Sequence, residues 1–294
     1  MTGTPKITQA MIDAYDEYTH LTLDRRGFMA RLTGLAGSAA AAAAILPLIA
    51  ASPARAAIVD PRDARLSTVW ARFPAGDTEM RAYVAKPAEG EGPFPGVLVI
   101  HENRGLNAHI QDVARRFALD GFIAVAPDFL SSAGGTPPDE DAAREMIGGL
   151  DGERTVAEAV ASREWLAALP GSNGKVGVVG FCWGGGLVNS MAVADPALLA
   201  GVAYYGRQPD PADAPKIRAA LLLHYAGLDE RINAGIEAYR AALEAAGVEH
   251  EIHVYEGVNH AFNNDTSAAR YDKQASDLAF ERTVTFLKEH LVDD

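Results

Sequence analysis

The chain has 294 residues, 48% hydrophobic and 22% charged, an ordinary globular composition with enough apolar material for a sizeable core. Its formal net charge of −13 sets it against the phosphate backbone of nucleic acids and against anionic membrane surfaces. A single cysteine excludes an intramolecular disulfide and any multi-cysteine zinc site.

The first stretch of chain reads as a leader. Asp24-Arg25-Arg26-Gly27-Phe28-Met29 holds a twin arginine followed by an apolar pair, and the alanine-rich run Leu32–Ala54 carries no charge. Ala54-Arg55-Ala56 then offers small residues at the two positions a signal peptidase reads. The pattern resembles a twin-arginine export signal. Residues 1–56 are therefore expected to be a leader and 57–294 a single domain. The product is expected to be periplasmic or secreted, meeting a membrane only during export. An uncleaved anchor and an alanine-rich structural helix are the alternatives. Asp13, Asp16, Glu17 and Asp24 depart from the pattern, because export signals are usually shorter and more basic before the arginines.

Beyond the leader, strands and helices alternate. Leu66–Phe73 and Met80–Lys86 read as a hairpin broken at Pro74-Ala-Gly-Asp77. Gly96–His101 is a short apolar run suited to a strand buried on both faces. Ile110, Val113, Ala114, Phe117 and Ala118 recur at helical spacing, and Gly121 ends that helix. Strands are expected at Phe122–Ala126, Lys175–Gly180, Gly201–Tyr205, Ala220–Ala226 and Glu251–Tyr255. Helices are expected at Thr155–Leu169, Gly184–Ala194, Asn233–Ala246 and Asp272–Leu291. This alternation predicts an α/β fold, a mostly parallel sheet with helices on both faces. The low-complexity loop Ser131–Asp141 is a candidate flap over a site.

The main chemical signal is Gly180-Phe-Cys-Trp-Gly184, between a buried strand and a helix. It has the form glycine, any residue, nucleophile, any residue, glycine, with cysteine as nucleophile. The sharp turn requires small flanking residues, hence both glycines. It projects the nucleophile from the carboxyl end of a strand, where α/β sheets hold their ligands. The helix N-terminus favours a thiolate, and the Trp183 backbone N–H is placed to meet an oxyanion. The bland alternative is a buried structural cysteine. A nucleophile needs a base, and the base an orienting carboxylate. Asp229 and His260 each follow a strand, at the same sheet edge as Cys182 and in the chain order nucleophile, acid, histidine. His101 and His224 read as core residues, while His20, His109, His250, His253 and His290 read as exposed. A zinc motif starting at His101-Glu102 fails, because Gly105 stands where its second histidine belongs.

Several segments together resemble the dienelactone hydrolase family over residues 66–291. They are His101-Glu-Asn-Arg-Gly-Leu106, Ala126-Pro-Asp-Phe129, Gly174–Gly185, Tyr204-Tyr-Gly206 and Asn259-His-Ala-Phe262. The first and the Tyr204 segment are also similar to an exported subgroup. The resemblance implies an α/β-hydrolase fold and a Cys182–Asp229–His260 triad. It also implies that Glu102 holds the thiol neutral or activates it, and that Asn103 supplies a second oxyanion N–H beside Trp183. Such enzymes need no metal or organic cofactor. The expected substrate is a small ester or lactone, cleaved by a monomer through an acyl-enzyme. A broader carboxylesterase or thioesterase is the alternative, and a non-catalytic binding protein the alternative of another class. Members that open dienelactones grip the substrate carboxylate with arginines after the Pro-Asp segment and after the histidine segment. Phe129-Leu-Ser-Ser-Ala-Gly-Gly135 and Phe262-Asn-Asn-Asp265 contain none. Arg104 and Arg207 are candidate replacements from other loops.

Overall fold

The computed structural model describes residues 6–20, 22–50, 58–90 and 92–292. The cleavage motif Ala54-Arg55-Ala56 lies outside the described residues. Eight strands form one sheet: β1 (Leu66–Ala75), β2 (Thr78–Pro87), β3 (Phe94–Ile100), β4 (Ile123–Asp128), β5 (Ser172–Phe181), β6 (Ala200–Tyr204), β7 (Ala220–Ala226) and β8 (His250–Tyr255). Their spatial order is β1-β2-β4-β3-β5-β6-β7-β8. The β1–β2 and β2–β4 pairs are antiparallel, and the remaining neighbours are parallel. Pro74 lies inside β1, opposite Glu79, rather than in the turn. It is tolerated there because β1 is an edge strand with no further neighbour needing its N–H.

Strand alternation sorts the core into two layers. Val97, Val99, Val179, Val202 and Leu222 face one side of the sheet, while Leu98, Ile100, Val178, Leu221 and Leu223 face the other. Helix α4 (Ala108–Leu119) and the C-terminal helix α10 (Lys273–Leu291) cover the first face through Val113, Phe117, Ala279 and Leu287. Helices α6 (Gly152–Ala167), α7 (Trp183–Ala194) and α9 (Ile236–Ala246) cover the second through Leu166, Val188, Met191 and Leu243. Burial on both faces explains why the central strands read as continuous apolar runs.

Five helices depart from the sequence expectations. Helix α5 (Glu140–Gly148) follows the Ser131–Asp141 loop, and a short α8 (Glu230–Asn233) takes the start assigned to the following helix. The N-terminal segment folds as α1 (Gln9–Thr19), α2 (Arg25–Ala36) and α3 (Ala39–Ile49). The Asp24 carboxylate caps α2 through the Gly27 N–H, Gly37 ends it in the left-handed region, and Ser38 caps α3. That punctuation splits the uncharged run, and α2 and α3 meet at 109°. Among the described residues no single helix is long and apolar enough to cross a membrane. Met11, Tyr15, Tyr18, Phe28, Leu32, Ile45 and Ile49 form their own buried cluster, which Ala269 of the sheet domain joins.

Candidate active site

Cys182 occupies the turn from β5 into α7 at φ 55° and ψ −112°. A non-glycine residue held there costs about 1–3 kcal/mol, an expense proteins accept at functional sites. Only bare neighbours allow the turn. A Cβ on Gly180 would stand 2.2 Å from the Gly184 carbonyl oxygen, and one on Gly184 2.5 Å from the His101 carbonyl oxygen. The Cys182 N–H donates to the Tyr204 carbonyl at 3.0 Å, tying the turn to β6. The N-terminus of α7 starts at the next residue and favours a negative sulfur.

Asp229 follows β7 and caps α8, its Oδ1 accepting the Ile232 N–H at 3.2 Å. That cap fixes the carboxylate so that Oδ2 meets His260 Nδ1 at 2.5 Å. His260 Nε2 is buried and, among the described residues, has no hydrogen-bond partner. Cys182, Asp229 and His260 are thus brought to one sheet edge as the sequence suggests. A cavity of about 560 Å³ opens beside them, lined by Asn103, Cys182, Trp183, Tyr205, Arg207 and His260 among others. That volume suits a small molecule.

A second histidine stands on the same sulfur. His20, expected to be exposed, is brought in by α1: its Nε2 lies 3.3 Å from Cys182 Sγ. Its Nδ1 meets the Asp16 carbonyl at 2.8 Å and the Asp16 carboxylate at 3.3 Å. The His20 ring packs edge-on against His260 with centroids 4.6 Å apart. Ring nitrogens of both histidines and the sulfur all lie within 4.8 Å of one another.

These contacts set the charges. Burial pushes the Cys182 thiol up, but His20 and then His260 outweigh it and bring it down to about 6. Burial opposes charge on His20, yet Cys182 and Asp16 raise it to about 9. Burial likewise opposes charge on His260, and Asp16, Asp229 and Cys182 together raise it well above the usual imidazole value. Asp229 is held below the usual carboxylate range: burial raises it, but His260 outweighs that. Both histidines thus favour the thiolate, and the sulfur in turn favours charge on both histidines.

The remaining candidate residues fall differently. Glu102 is buried, with Oε2 accepting from Asn264 Nδ2 at 2.6 Å and Oε1 from the Tyr205 hydroxyl at 3.4 Å. It is occupied there and makes no hydrogen bond to the thiol. Burial raises its pKa, but Arg104, His109 and Arg270 outweigh that and hold it ionised. Asn103 and Trp183 line the cavity wall beside the sulfur, where oxyanion donors belong, and the Asn103 side chain donates to the Thr19 carbonyl at 2.6 Å. Arg104 is not a ligand arginine. It is buried, donates to the Tyr15 hydroxyl at 3.0 Å and lies 3.4 Å from Glu140. Arg207 is exposed and does line the cavity.

The loop Ser131–Asp141 is no flap. Thr136 turns it back onto Asp128 through hydrogen bonds of 2.8 and 2.7 Å, and α5 lines the cavity instead, through Arg144 and Ile147. His109, also expected to be exposed, is buried with Nδ1 2.7 Å from Asp265. His101 and His224 are buried and bonded as core residues, His224 to Thr283 and Tyr255. The sequence reading missed Asp16, His20, Tyr205 and Asn264. For the first two a signal existed: an acidic, aromatic run, Tyr15-Asp-Glu-Tyr-Thr-His20, with aspartate and histidine one helical turn apart where a leader should be basic.

The sequence profile of the dienelactone hydrolase family matches residues 80–291. The chain belongs to that family. The dienelactone hydrolase profile thus spans both β-edge loops that carry Asp229 and His260 and the turn that carries Cys182. Among relatives, a protein of Escherichia coli O157:H7 named "Putative carboxymethylenebutenolidase" is 33% identical, over 82% of this chain and 94% of its own. "Protein usf" of Aquifex pyrophilus is 36% identical over 74% of this chain and 97% of its own. A solved structure named "Putative Dienelactone Hydrolase", from Klebsiella pneumoniae, superposes with a TM-score of 0.70 at 28% identity. It covers 76% of this chain and 99% of its own. The family and the fold mark this protein as a hydrolase whose substrate is a small molecule.

Proposed function

We propose that this dienelactone hydrolase relative cleaves a small carboxylic ester or lactone through an acyl-enzyme on Cys182. The observation that carries the reading is the Cys182 turn facing an open cavity, with the Asp229–His260 pair beside it. The Cys182 thiolate adds to the acyl carbon, and the backbone N–H groups of Trp183 and Asn103 receive the developing oxyanion. Collapse breaks the bond to the leaving oxygen, which takes a proton from the His260 imidazolium and departs as an alcohol. A water then gives a proton to His260, and its hydroxyl adds to the thioester carbon. The carbon–sulfur bond breaks, the thiolate returns, and the acid leaves and ionises. Net, one ester and one water give one alcohol, one carboxylate and one proton. Asp229 keeps His260 in the tautomer and orientation that this shuttle needs.

A panel of small esters, lactones and thioesters tests the reading. The wild-type chain is expected to release acid from at least one member, and Cys182→Ala to lose about 10³-fold or more of kcat, as for deletion of a triad member. A chain with no turnover anywhere on the panel, or full turnover by the alanine variant, would contradict it.

A further inference from the structure

The N-terminal helix α1 is built into the site. Besides His20 on the sulfur, Gln9 Nε2 donates to the Asn259 side chain at 2.5 Å, next to His260. Tyr18 bonds Asp141, and Asn103 at the cavity wall holds Thr19. Two buried arginines of the sheet domain point at this helix. Arg104 meets Tyr15, and Arg270 lies 3.6 Å from Asp16 with its guanidinium 5.0 Å above the Tyr15 ring centroid. With α1 in place both guanidinium groups are buried, and Tyr15 and Asp16 of the helix are among their partners. The helix does not plug the site: His20 and Thr19 form a wall of the cavity that opens at Cys182.

We propose that His20 is a catalytic residue, the Asp16–His20 pair of α1 holding the Cys182 thiolate while the Asp229–His260 pair moves the proton. This deepens the reading of Cys182 as nucleophile and rests on it. The division of labour follows from position. His20 is the C-cap of α1, where the helix dipole favours a cation, and Asp16 meets its Nδ1–H with its carbonyl at 2.8 Å and its carboxylate at 3.3 Å. Its Nε2–H points at sulfur, so it stabilises the anion without leaving it. His260 faces the cavity with an unpartnered Nε2, free to reach a leaving oxygen or a water. The thiol proton thus resides on His20 at rest, and the proton exchanged with substrate is the one on His260. The enzyme that works in this way keeps residues 9–20 with the sheet domain, the uncleaved alternative among the readings of the N-terminal segment.

Iodoacetamide alkylation of the full chain across pH reads the thiolate without any ester chemistry. The groups around the sulfur are His20 and Asp16 from α1, Arg144 from α5, Arg231 from α8 and Arg270. From the strand ends come Glu102, Arg104, Tyr205, Asp229 and His260. Wild-type alkylation is expected to rise through about pH 6. In His20→Gln the rise is expected about one pH unit higher, with an alkylation rate about tenfold lower at about pH 5 and about twofold lower at about pH 7. Asp16→Asn is expected to move it the same way by less, and serves if His20→Gln does not fold. An unmoved profile in a folded variant overturns the role of His20, even where Cys182→Ala abolishes turnover. A shifted profile together with full turnover by Cys182→Ala would instead keep the thiolate partner and remove the nucleophile reading, so the two failures are distinguishable.

Discussion

Two histidine–carboxylate pairs face one sulfur, and they are built differently. Asp229 and His260 sit on loops at the ends of β7 and β8, adjacent parallel strands, so the sheet itself sets their spacing. Asp16 and His20 sit one turn apart on a helix that belongs to a separate apolar cluster and reaches the sulfur only by docking. The difference separates two demands on a nucleophile. Proton shuttling needs geometry as rigid as the sheet, whereas holding a thiolate needs only a cation near it. A docked helix supplies the second, and through Asp16 it also favours charge on His260.

His260→Ala should sharpen the comparison most. It removes the shuttle, and about 10³-fold or more of kcat is expected to go. Alkylation of Cys182 should continue near neutrality, because His20 still supports the thiolate. Loss of alkylation to the same degree as turnover would merge the two roles and break the distinction.

A smaller effect is expected outside both pairs. Arg207 lines the cavity with an exposed side chain, the placement a carboxylate grip needs, whereas Arg104 is consumed by Tyr15 and Glu140. Arg207→Met is expected to lower kcat/KM for anionic esters by about 10–150-fold, the loss of one charged hydrogen bond, and to spare neutral esters. Equal losses on both would assign Arg207 to loop structure.

The legible parts of this protein share a local cause. The turn glycines at 180 and 184, the apolar strands and the Asp272 cap of α10 are dictated by neighbours in sequence, so the fold and the places of Cys182, Asp229 and His260 could be read directly. What stayed hidden depends on docking between distant segments. His20 and Cys182 are 162 positions apart, and no periodicity connects them. The partners of Glu102, Asn264 and Tyr205, likewise come from loops 162 and 103 positions away. The loop at Ser131–Asp141 looked like a flap by composition, and Asp128 draws it back. The twin arginine and the uncharged run drew attention away from the acidic turn before them, which carries Asp16 and His20.

The claim that Cys182 is the attacking atom is tested most directly by trapping its acyl-enzyme. The wild-type chain is mixed with an activated acetyl ester, quenched in acid within the first turnover, and its intact mass and peptides are measured. A gain of one acetyl group on the peptide that contains Cys182, absent in Cys182→Ala and lost again as acetate appears, is the predicted result. Acetate release with no transient adduct on that peptide, or an adduct carried elsewhere and turned over at the same rate, would contradict it.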